Sequence, residues 1–206
     1  MNKTDNTRLQ NETLDVIGRR HSIRKFLDRP VPQEHIEMIL TAANQAPSAH
    51  NQQSWRFIVV KGKKKNSLAD LVTSSASRFP RPSSALLRMA ARSIISAPVV
   101  IAIANTGELI TRGTDLFKVE KEQARDFFRT MEIQNSAAEV ENLLLAATSL
   151  GLGTVWLGVL FLIKEEILRY LGEPGGEFMA VVPVGYASRK TAGPKKVAVD
   201  QVIKFL

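Results

Sequence analysis

The sequence predicts a three-layer α/β sandwich, in which helices cover both faces of a sheet of at least three or four strands. Several stretches repeat apolar residues at helical spacing, as Ile36, Ile39, Leu40 and Ala43 do. Short runs rich in β-branched and aromatic residues lie between these stretches, without the signals of tight hairpins. One of these runs, residues 98–104, is apolar at both alternating sets of positions. We therefore expect it to lie in the centre of the sheet.

Each element of the first half has its own local signal. Leu14 and Ile17 lie three residues apart and predict a short helix that ends near Gly18. Pro32 suits the first position of the next helix, which we expect to stop at Pro47. The remaining predictions are a strand at residues 55–60, a lysine-rich turn at 61–65, a helix capped by Asn66, a loop at 78–84, a helix at 85–95 and the buried strand at 98–104.

The second half contains the longest predicted helix, from about residue 131 to 150, with Gly151 as its C-terminal stop. Its apolar stripe consists of Ala137, Val140, Leu144 and Ala147. Residues 105–130 are interpreted as a loop and a possible helix, where a lid or a substrate-facing segment is expected. The predictions after the long helix are a strand at 154–159, a helix at 163–171 and a strand at 178–187.

Length and composition indicate an ordinary folded protein. The 206 residues fit one domain, 1–206, and 44% hydrophobic against 23% charged residues is far from the composition of disordered chains. The absence of cysteine excludes disulfides, thiolate metal sites and cysteine nucleophiles, and it is compatible with a cytoplasmic location. No apolar run is long enough for a membrane span, and the polar N-terminus does not resemble an export signal.

The formal net charge of +8 favours an anionic partner, which leaves phosphates, nucleotides and nucleic acid open. A basic nucleic-acid-binding module is therefore one hypothesis. Against it, the sequence has no helix-turn-helix, zinc or RNP-type pattern, and its few aromatic residues lie in apolar runs rather than among basic residues. We expect no nucleic-acid partner, and a visible absorption spectrum separates this hypothesis from a coloured cofactor protein.

Two polar segments are candidates for a binding site. The first, Arg20-His21-Ser22-Ile23-Arg24, offers two guanidiniums and a hydroxyl, which suit a phosphate or another oxyanion. The alternative for this segment is a solvated basic loop. The second, residues 46–55, brings together hydroxyl and amide side chains that match the alternating donors and acceptors of a heteroaromatic ring edge, although its proline and serine also occur in ordinary turns.

Four segments, RRHSIRKF, APSAHNQQSWRFIVV, GLGTVWLG and VGYASRKTAGPKK, occur in the order found in the nitroreductase family of flavoproteins, which they resemble. The resemblance covers essentially the whole chain, and four ordered matches are far more specific than any one of them. It implies the FMN-dependent nitroreductase fold, a three-layer α-β-α sandwich with a central mixed sheet. It also implies FMN as cofactor, NADH or NADPH as electron donor, and a homodimer with FMN at the subunit interface.

The resemblance also implies roles for individual residues. Arg20, His21 and Ser22 would hold the ribityl-phosphate, and Arg24 would lie beside the pyrimidine edge of the flavin. The candidate contacts from the other subunit are Pro47, Ser48, Ala49, His50 and Asn51. Backbone groups near the flavin N5 would come from Trp156, Leu157 and Gly158.

Three features of these motifs leave alternatives open. A C-terminal basic residue of the family would be Lys196 or, one residue earlier, Lys195, and a solvated lysine pair is the alternative. Ser54 stands where the family commonly has proline, so the start of the following strand has one less fixed dihedral. Trp156 alone is as well explained by packing in the core.

Arg24 is the candidate catalytic residue, because a cation beside the pyrimidine edge stabilises negative charge on the reduced flavin. The resemblance implies ping-pong reduction of a small conjugated acceptor, such as a nitroarene or a quinone, through flavin N5. Other members of the family are flavin reductases, dehalogenases and dehydrogenases, so the fold alone does not fix the acceptor. A flavin-binding protein without turnover is a further alternative.

Overall fold

The structure is built from helices that flank one sheet. It is a computed structural model that describes residues 11–116 and 120–206; the predicted domain 1–206 also includes residues 1–10 and 117–119, which lie outside the described residues. The elements are α1 (Glu12–Arg19), α2 (Gln33–Asn44), β1 (Trp55–Lys61), α3 (Gly62–Ser75), α4 (Ser83–Ser96), β2 (Val99–Asn105), α5 (Glu108–Leu116), α6 (Lys121–Ser149), β3 (Gly153–Thr154), α7 (Lys164–Leu171) and β4 (Glu177–Gly185). Across the described ranges, no helix combines the length and the hydropathy that crossing a membrane requires.

The sheet has the order β1-β2-β4-β3, so the fully buried strand β2 lies inside it, as predicted. The three strand pairs in the sheet are antiparallel, whereas the predicted sheet was mixed. Within the described residues, the parallel pairing consists of one isolated bridge between Ser22 and Thr154. For β1 and β2 the reason is that two helices, α3 and α4, separate these strands, and this pair of helices returns the chain in the reverse direction.

The sheet has a separate hydrophobic core on each face, which confirms the predicted three-layer sandwich. Val100, Ala102 and Ala104 of β2 pack with α3, α4 and α7. The alternate residues Val99, Ile101 and Ile103 pack with α2 and α6. This division follows from the two-residue repeat of a strand, which sends successive side chains to opposite faces.

The lysine-rich segment is helical, so the predicted turn at 61–65 and the predicted cap at Asn66 are wrong. Gly62, with φ of 54°, allows an abrupt change of direction after β1, and α3 begins there. Lys65 is buried, and its Nζ donates to the carbonyl oxygens of Ile94 (3.2 Å) and Ile95 (2.7 Å) at the end of α4. Desolvation by burial lowers the pKa of Lys65. The sequence pattern missed this because lysine is usually exposed.

The long helix α6 starts ten residues earlier than predicted, at Lys121. The Glu120 side chain caps it by accepting hydrogen bonds from the backbone N–H groups of Glu122 and Gln123. Segment 105–130 therefore contains α5 and the first turns of α6. In the predicted stripe of α6, Ala137 is exposed, while Val140, Leu144 and Ala147 are buried as expected.

Two smaller predictions also change. The predicted strand at 154–159 is reduced to β3, residues 153–154, and a 3₁₀ segment begins at Gly158. One further backbone bond, from Leu157 N to Val181 O at 3.0 Å, keeps the chain beside β4. α2 ends at Asn44, three residues before Pro47, and Pro32 is its N-cap rather than its first helical residue.

Candidate functional site

The segment Arg20–Arg24 is held between β3 and the chain that follows β4. The backbone N–H of Ile23 donates to Thr154 O at 2.8 Å, and Ser188 N donates to Lys25 O at 3.1 Å. Gly153 makes this close approach possible, because a Cβ there would lie only 2.8 Å from Ile23 side-chain atoms. The predicted phosphate-binding segment is thus fixed by backbone bonds on both sides.

A cavity of about 280 Å³ opens beside this segment. It is lined by Ser22, Ile23, Arg24, Lys25, Ser188, Arg189 and Thr191. Three of these side chains are cationic, three carry hydroxyls, and the lining includes no carboxylate. Such a donor set suits a phosphate and the hydroxyls attached to it.

His21 and Arg20 directly precede the residues of this segment that line the cavity, and neither of them is part of its lining. The ring nitrogens of His21 lie 2.9 Å from Arg19 O and 3.1 Å from Thr191 Oγ1, so the ring connects the two segments. The Arg20 Nε lies 3.3 Å from Glu141 Oε1 of α6. A neighbouring cavity of about 530 Å³ shares Ile23, Arg189 and Thr191 with the first and includes His21 in its lining.

Sequence reasoning missed Ser188, Arg189 and Thr191 as site residues. Their signal was present, because the hydroxyl and basic side chains of Ser188-Arg189-Lys190-Thr191 directly follow a strand. The predicted Lys195 and Lys196 are exposed and line neither cavity. The structure thus brings Ser22 and Arg24 together with residues 188–191 rather than with the two lysines.

The second predicted segment, Pro47–Asn51, lies at the other end of the sheet. It precedes β1, whose first residue Trp55 pairs with Asn105, the last residue of β2. The segment Arg20–Arg24 instead contacts β3, at the level of the first residue of β2. The seven residues of β2 span about 20 Å, so Trp55 and Ser22 contact the sheet at opposite ends of this strand.

The backbone around Asn51 has an unusual conformation. His50, Asn51 and Gln53 have φ values of 54°, 52° and 50°, in the left-handed region that side chains disfavour. The Ser48 hydroxyl accepts from Gln53 N at 3.1 Å, and Ala49 N donates to Asn135 Oδ1 of α6 at 3.0 Å. Strained non-glycine residues cluster at functional sites, so this loop is a strong candidate for ligand contact.

The third predicted group, Trp156, Leu157 and Gly158, follows β3 at the edge of the sheet. Leu157 is buried and belongs to one of the two cores, whereas 38% of the Trp156 surface is exposed. Trp156 is therefore not a core residue of this chain. Gly158 is exposed, and a Cβ there would meet no atom within 4 Å, which leaves its backbone open to a ligand or a second chain.

A larger cavity, of about 780 Å³, contains none of the predicted site residues. Its lining includes Asp28, Lys61, Gly62 and Lys65. The buried ammonium of Lys65 already binds the carbonyls at the end of α4. We explain this cavity by helix packing rather than by ligand binding.

Comparison with known proteins identifies the family of this chain. The nitroreductase family matches residues 17–186, from the end of α1 to the residue after β4. The chain belongs to the nitroreductase family. Two archaeal relatives are named provisionally as NADH dehydrogenases/NAD(P)H nitroreductases. The protein from Archaeoglobus fulgidus is 32% identical over 180 residues, 85% of each chain. The one from Methanothermobacter thermautotrophicus is 31% identical over 85% of this chain and 77% of its own.

A solved nitroreductase from Desulfitobacterium hafniense, with bound FMN, has a similar fold to this nitroreductase-family chain. The two superpose with a TM-score of 0.72 and 26% identity, over 96% of this chain and all of the other. The predicted fold class is therefore confirmed, and the family to which the four sequence segments pointed is the correct one.

Proposed function

We propose that this protein is an FMN-dependent oxidoreductase that uses NADH or NADPH to reduce a small aromatic or conjugated acceptor of the nitroarene or quinone type. The observation that carries this proposal is the cavity formed by residues 22–25 and 188–191, with its cations and hydroxyls and no carboxylate. Family membership, the FMN-bound relative and the names of the archaeal relatives support the cofactor and the electron donor.

The residues of this cavity fit a single phosphate. Lys25 and Arg189 supply positive charge for the phosphate, and Ser22 and Thr191 supply hydroxyls for the phosphate or the ribityl chain. The sequence has no Gly-x-Gly-x-x-Gly turn for a pyrophosphate, which favours FMN over FAD. At about 280 Å³ the cavity is slightly smaller than typical ligand pockets, as expected for a site that a second protomer completes.

Each predicted residue has a part in the proposal. Arg20, His21 and Ser22 bind the ribityl-phosphate, and either Lys195 or Lys196, which line neither cavity in this chain, would close over it when FMN binds. The exposed backbone at Gly158, with Trp156 and Leu157, lies along the flavin ring. When bound, FMN would supply hydride transfer from NAD(P)H to the acceptor. Arg24 places a fixed positive charge at the pyrimidine edge, where negative charge develops.

The proposed homodimer follows from the distance between the two polar segments. Ser22 contacts the sheet at the level of the first residue of β2, and Trp55, which follows Pro47–Asn51, pairs with the last residue of β2, so we propose that the two segments reach one FMN from different protomers. Exposed apolar residues offer the required interface. They include Leu14, Ile17, Trp156, Phe161, Leu162, Val199, Val202 and Phe205. The exposed C-terminal residues suit packing against a second copy.

Spectroscopy and anaerobic reduction test the proposal. We expect the purified protein to be yellow and to release FMN on heating, identified by chromatography. NADH or NADPH should bleach the bound flavin in the absence of oxygen, and a nitroarene or a quinone should restore its colour. A colourless protein that does not take up added FMN would contradict the cofactor. A yellow protein that neither nicotinamide reduces would contradict the enzyme activity.

A further inference from the structure

A buried carboxylate in α6 connects three separate parts of the chain. Glu132 Oε1 accepts from the backbone N–H of Leu109 at the start of α5 (3.1 Å). Glu132 Oε2 accepts from Asn105 Nδ2 at the end of β2 (3.0 Å) and from Asn135 Nδ2 (3.4 Å). Only 1% of the Glu132 surface is exposed. Its bonds therefore form in the low dielectric of the interior, where each is strengthened and a missing partner is costly.

Asn135 extends this network to the loop before β1. Its Oδ1 accepts from Ala49 N at 3.0 Å, and its Nδ2 points to Glu132. The loop needs such a restraint, because His50, Asn51 and Gln53 have positive φ values, which residues with a side chain disfavour. In the described residues, the hydrogen bond from Ala49 N to Asn135 Oδ1 joins this loop to α6.

A second connection joins the same loop to α5 at the surface. Gln52 Nε2 donates to Glu108 Oε2 at 3.2 Å, and the guanidinium of Arg112 donates to Gln52 Oε1 at 2.9 Å. The loop and α5 are thus linked to each other directly, and each is also linked to the Glu132–Asn135 pair. This arrangement makes them one structural unit.

We propose that Glu132 and Asn135 are positioning residues that hold the Ala49–Gln53 loop and the start of α5 against α6, so that loop and helix together form one wall of the flavin site of the partner protomer. That this wall faces a flavin rests on the proposed function. The restraint itself depends only on the contacts within one chain. Glu132 and Asn135 touch neither flavin nor substrate in this proposal and act through the loop.

The test reverses which residue of the Glu132–Asn135 pair donates the hydrogen bond and which accepts it, in the full-length, flavin-loaded protein. Asn135→Asp keeps an acceptor for Ala49 N but places a second carboxylate beside Glu132. Glu132→Gln combined with Asn135→Asp restores a donor–acceptor pair in the reverse direction, and the introduced amide still offers its oxygen to Leu109 N. The double variant gives up the bond from Asn105 Nδ2 to residue 132, while Asn105 Nδ2 keeps Ser136 Oγ as an acceptor. We expect repulsion from Glu132 to displace the introduced carboxylate from Ala49 N, so Asn135→Asp should speed hydrogen exchange at Ala49 N and weaken FMN binding, each by about tenfold, the scale of one lost hydrogen bond. The double variant should recover most of both.

Ser136→Ala is the matched control. Ser136 is as buried as Glu132 and accepts from the same Asn105 Nδ2 at 3.1 Å, but it makes no bond to the loop. We expect Ser136→Ala to lower the melting temperature without changing exchange at Ala49 N or FMN affinity. If Asn135→Asp does not fold, Asn135→Ala replaces it, because Asn135→Ala removes the acceptor without adding a charge.

Two results would overturn the inference, and each is separate from failure of the proposed function. Unchanged exchange at Ala49 N in a folded Asn135 variant would mean that Asn135 does not restrain the loop. Faster exchange at Ala49 N with unchanged affinity for FMN would mean that the loop is not a flavin wall. If the wild-type protein binds no flavin, the proposed function fails, and so does the proposal that the loop and α5 form a wall of the flavin site. Exchange at Ala49 N then still decides the restraint, since it needs no cofactor.

Discussion

The guanidinium Nε of Arg20 lies 3.3 Å from the Oε1 of Glu141, so the first residue of the predicted phosphate-binding segment forms an ion pair with α6. The Glu141 side chain is 47% exposed and that of Arg20 only 23%. If Arg20 binds the phosphate as proposed, the phosphate competes with Glu141 for the same guanidinium. The ion pair is also a restraint on the direction of Arg20.

The first prediction concerns this competition. Glu141→Gln should tighten FMN binding by a few-fold, because it removes a negative charge beside the phosphate and releases Arg20. Arg20→Ala should weaken binding by about tenfold or more, as expected for a charge-assisted bond. Fluorescence titration of the apoprotein with FMN measures both. Asp15→Asn is the control, since it makes the same charge change in the exposed pair with Arg19. Weaker binding by Glu141→Gln would instead mean that Glu141 orients Arg20.

The second prediction concerns Arg24, which lines the cavity. Arg24→Ala should retain FMN but slow its anaerobic reduction by NAD(P)H, with a barrier higher by about 2–4 kcal/mol, by analogy with the loss of an oxyanion donor. Stopped-flow absorbance measures the rate. Arg29→Ala is a matched control, because Arg29 stacks on the Tyr186 ring and does not line this cavity. Equal rates for wild type and Arg24→Ala, at full flavin occupancy, would exclude Arg24 from the mechanism.

The third prediction tests whether each site uses both protomers. An Arg20→Ala, Arg24→Ala double variant and a Ser48→Ala, Asn51→Ala double variant should each be inactive or depleted of flavin. After subunit exchange of equal amounts, half of the dimers are mixed, and each mixed dimer holds one intact site. Roughly a quarter of wild-type activity should therefore return. A monomer by light scattering that retains full flavin, or no recovery after proven exchange, would contradict the shared site.

The fourth prediction concerns Glu139, a fully buried residue of α6 whose two carboxylate oxygens have no hydrogen-bond partner among the described residues. Burial raises its pKa to about 8 from 4.5. Between these values the folded protein keeps a proton that the unfolded chain loses, so the free energy of unfolding falls as pH rises from about 4.5 to 8. The cost at pH 7 is on the order of 3 kcal/mol.

Glu139→Gln removes this titration, because the amide is a neutral isostere of the protonated acid. It should raise the melting temperature clearly at pH 8 and little at pH 5, as measured by circular dichroism. Glu122→Gln, an exposed change on the same helix, should give no such pH-dependent gain. Equal effects of Glu139→Gln at both pH values would mean that Glu139 ionises normally in the folded protein.

The sequence was most informative where side-chain type and periodicity agree. The run at 98–104 predicted the buried central strand β2 nearly to the residue, and three residues of the predicted segment 20–24, Ser22, Ile23 and Arg24, line the cavity. Arg189 and Thr191 were missed, because they join Arg24 in the cavity lining only through tertiary contacts. The chain after β4 is hydrogen-bonded to Lys25 through Ser188 N and to the His21 ring through Thr191 Oγ1. The lysine run was misassigned for a related reason. Lys65 is buried only because α4 ends beside it.

By itself the sequence determined the layered fold, the family and the two polar segments, because these depend on local periodicity and on residue types in a fixed order. The tertiary structure decided where those segments lie. It placed Arg20–Arg24 and Pro47–Asn51 at opposite ends of the sheet, since antiparallel pairing of β1 with β2 sets the direction of each strand end. It also buried Glu132 and Asn135 beneath the loop at Ala49. Such contacts join residues 80 or more positions apart, as Ala49 and Asn135 are, and local sequence patterns do not encode them.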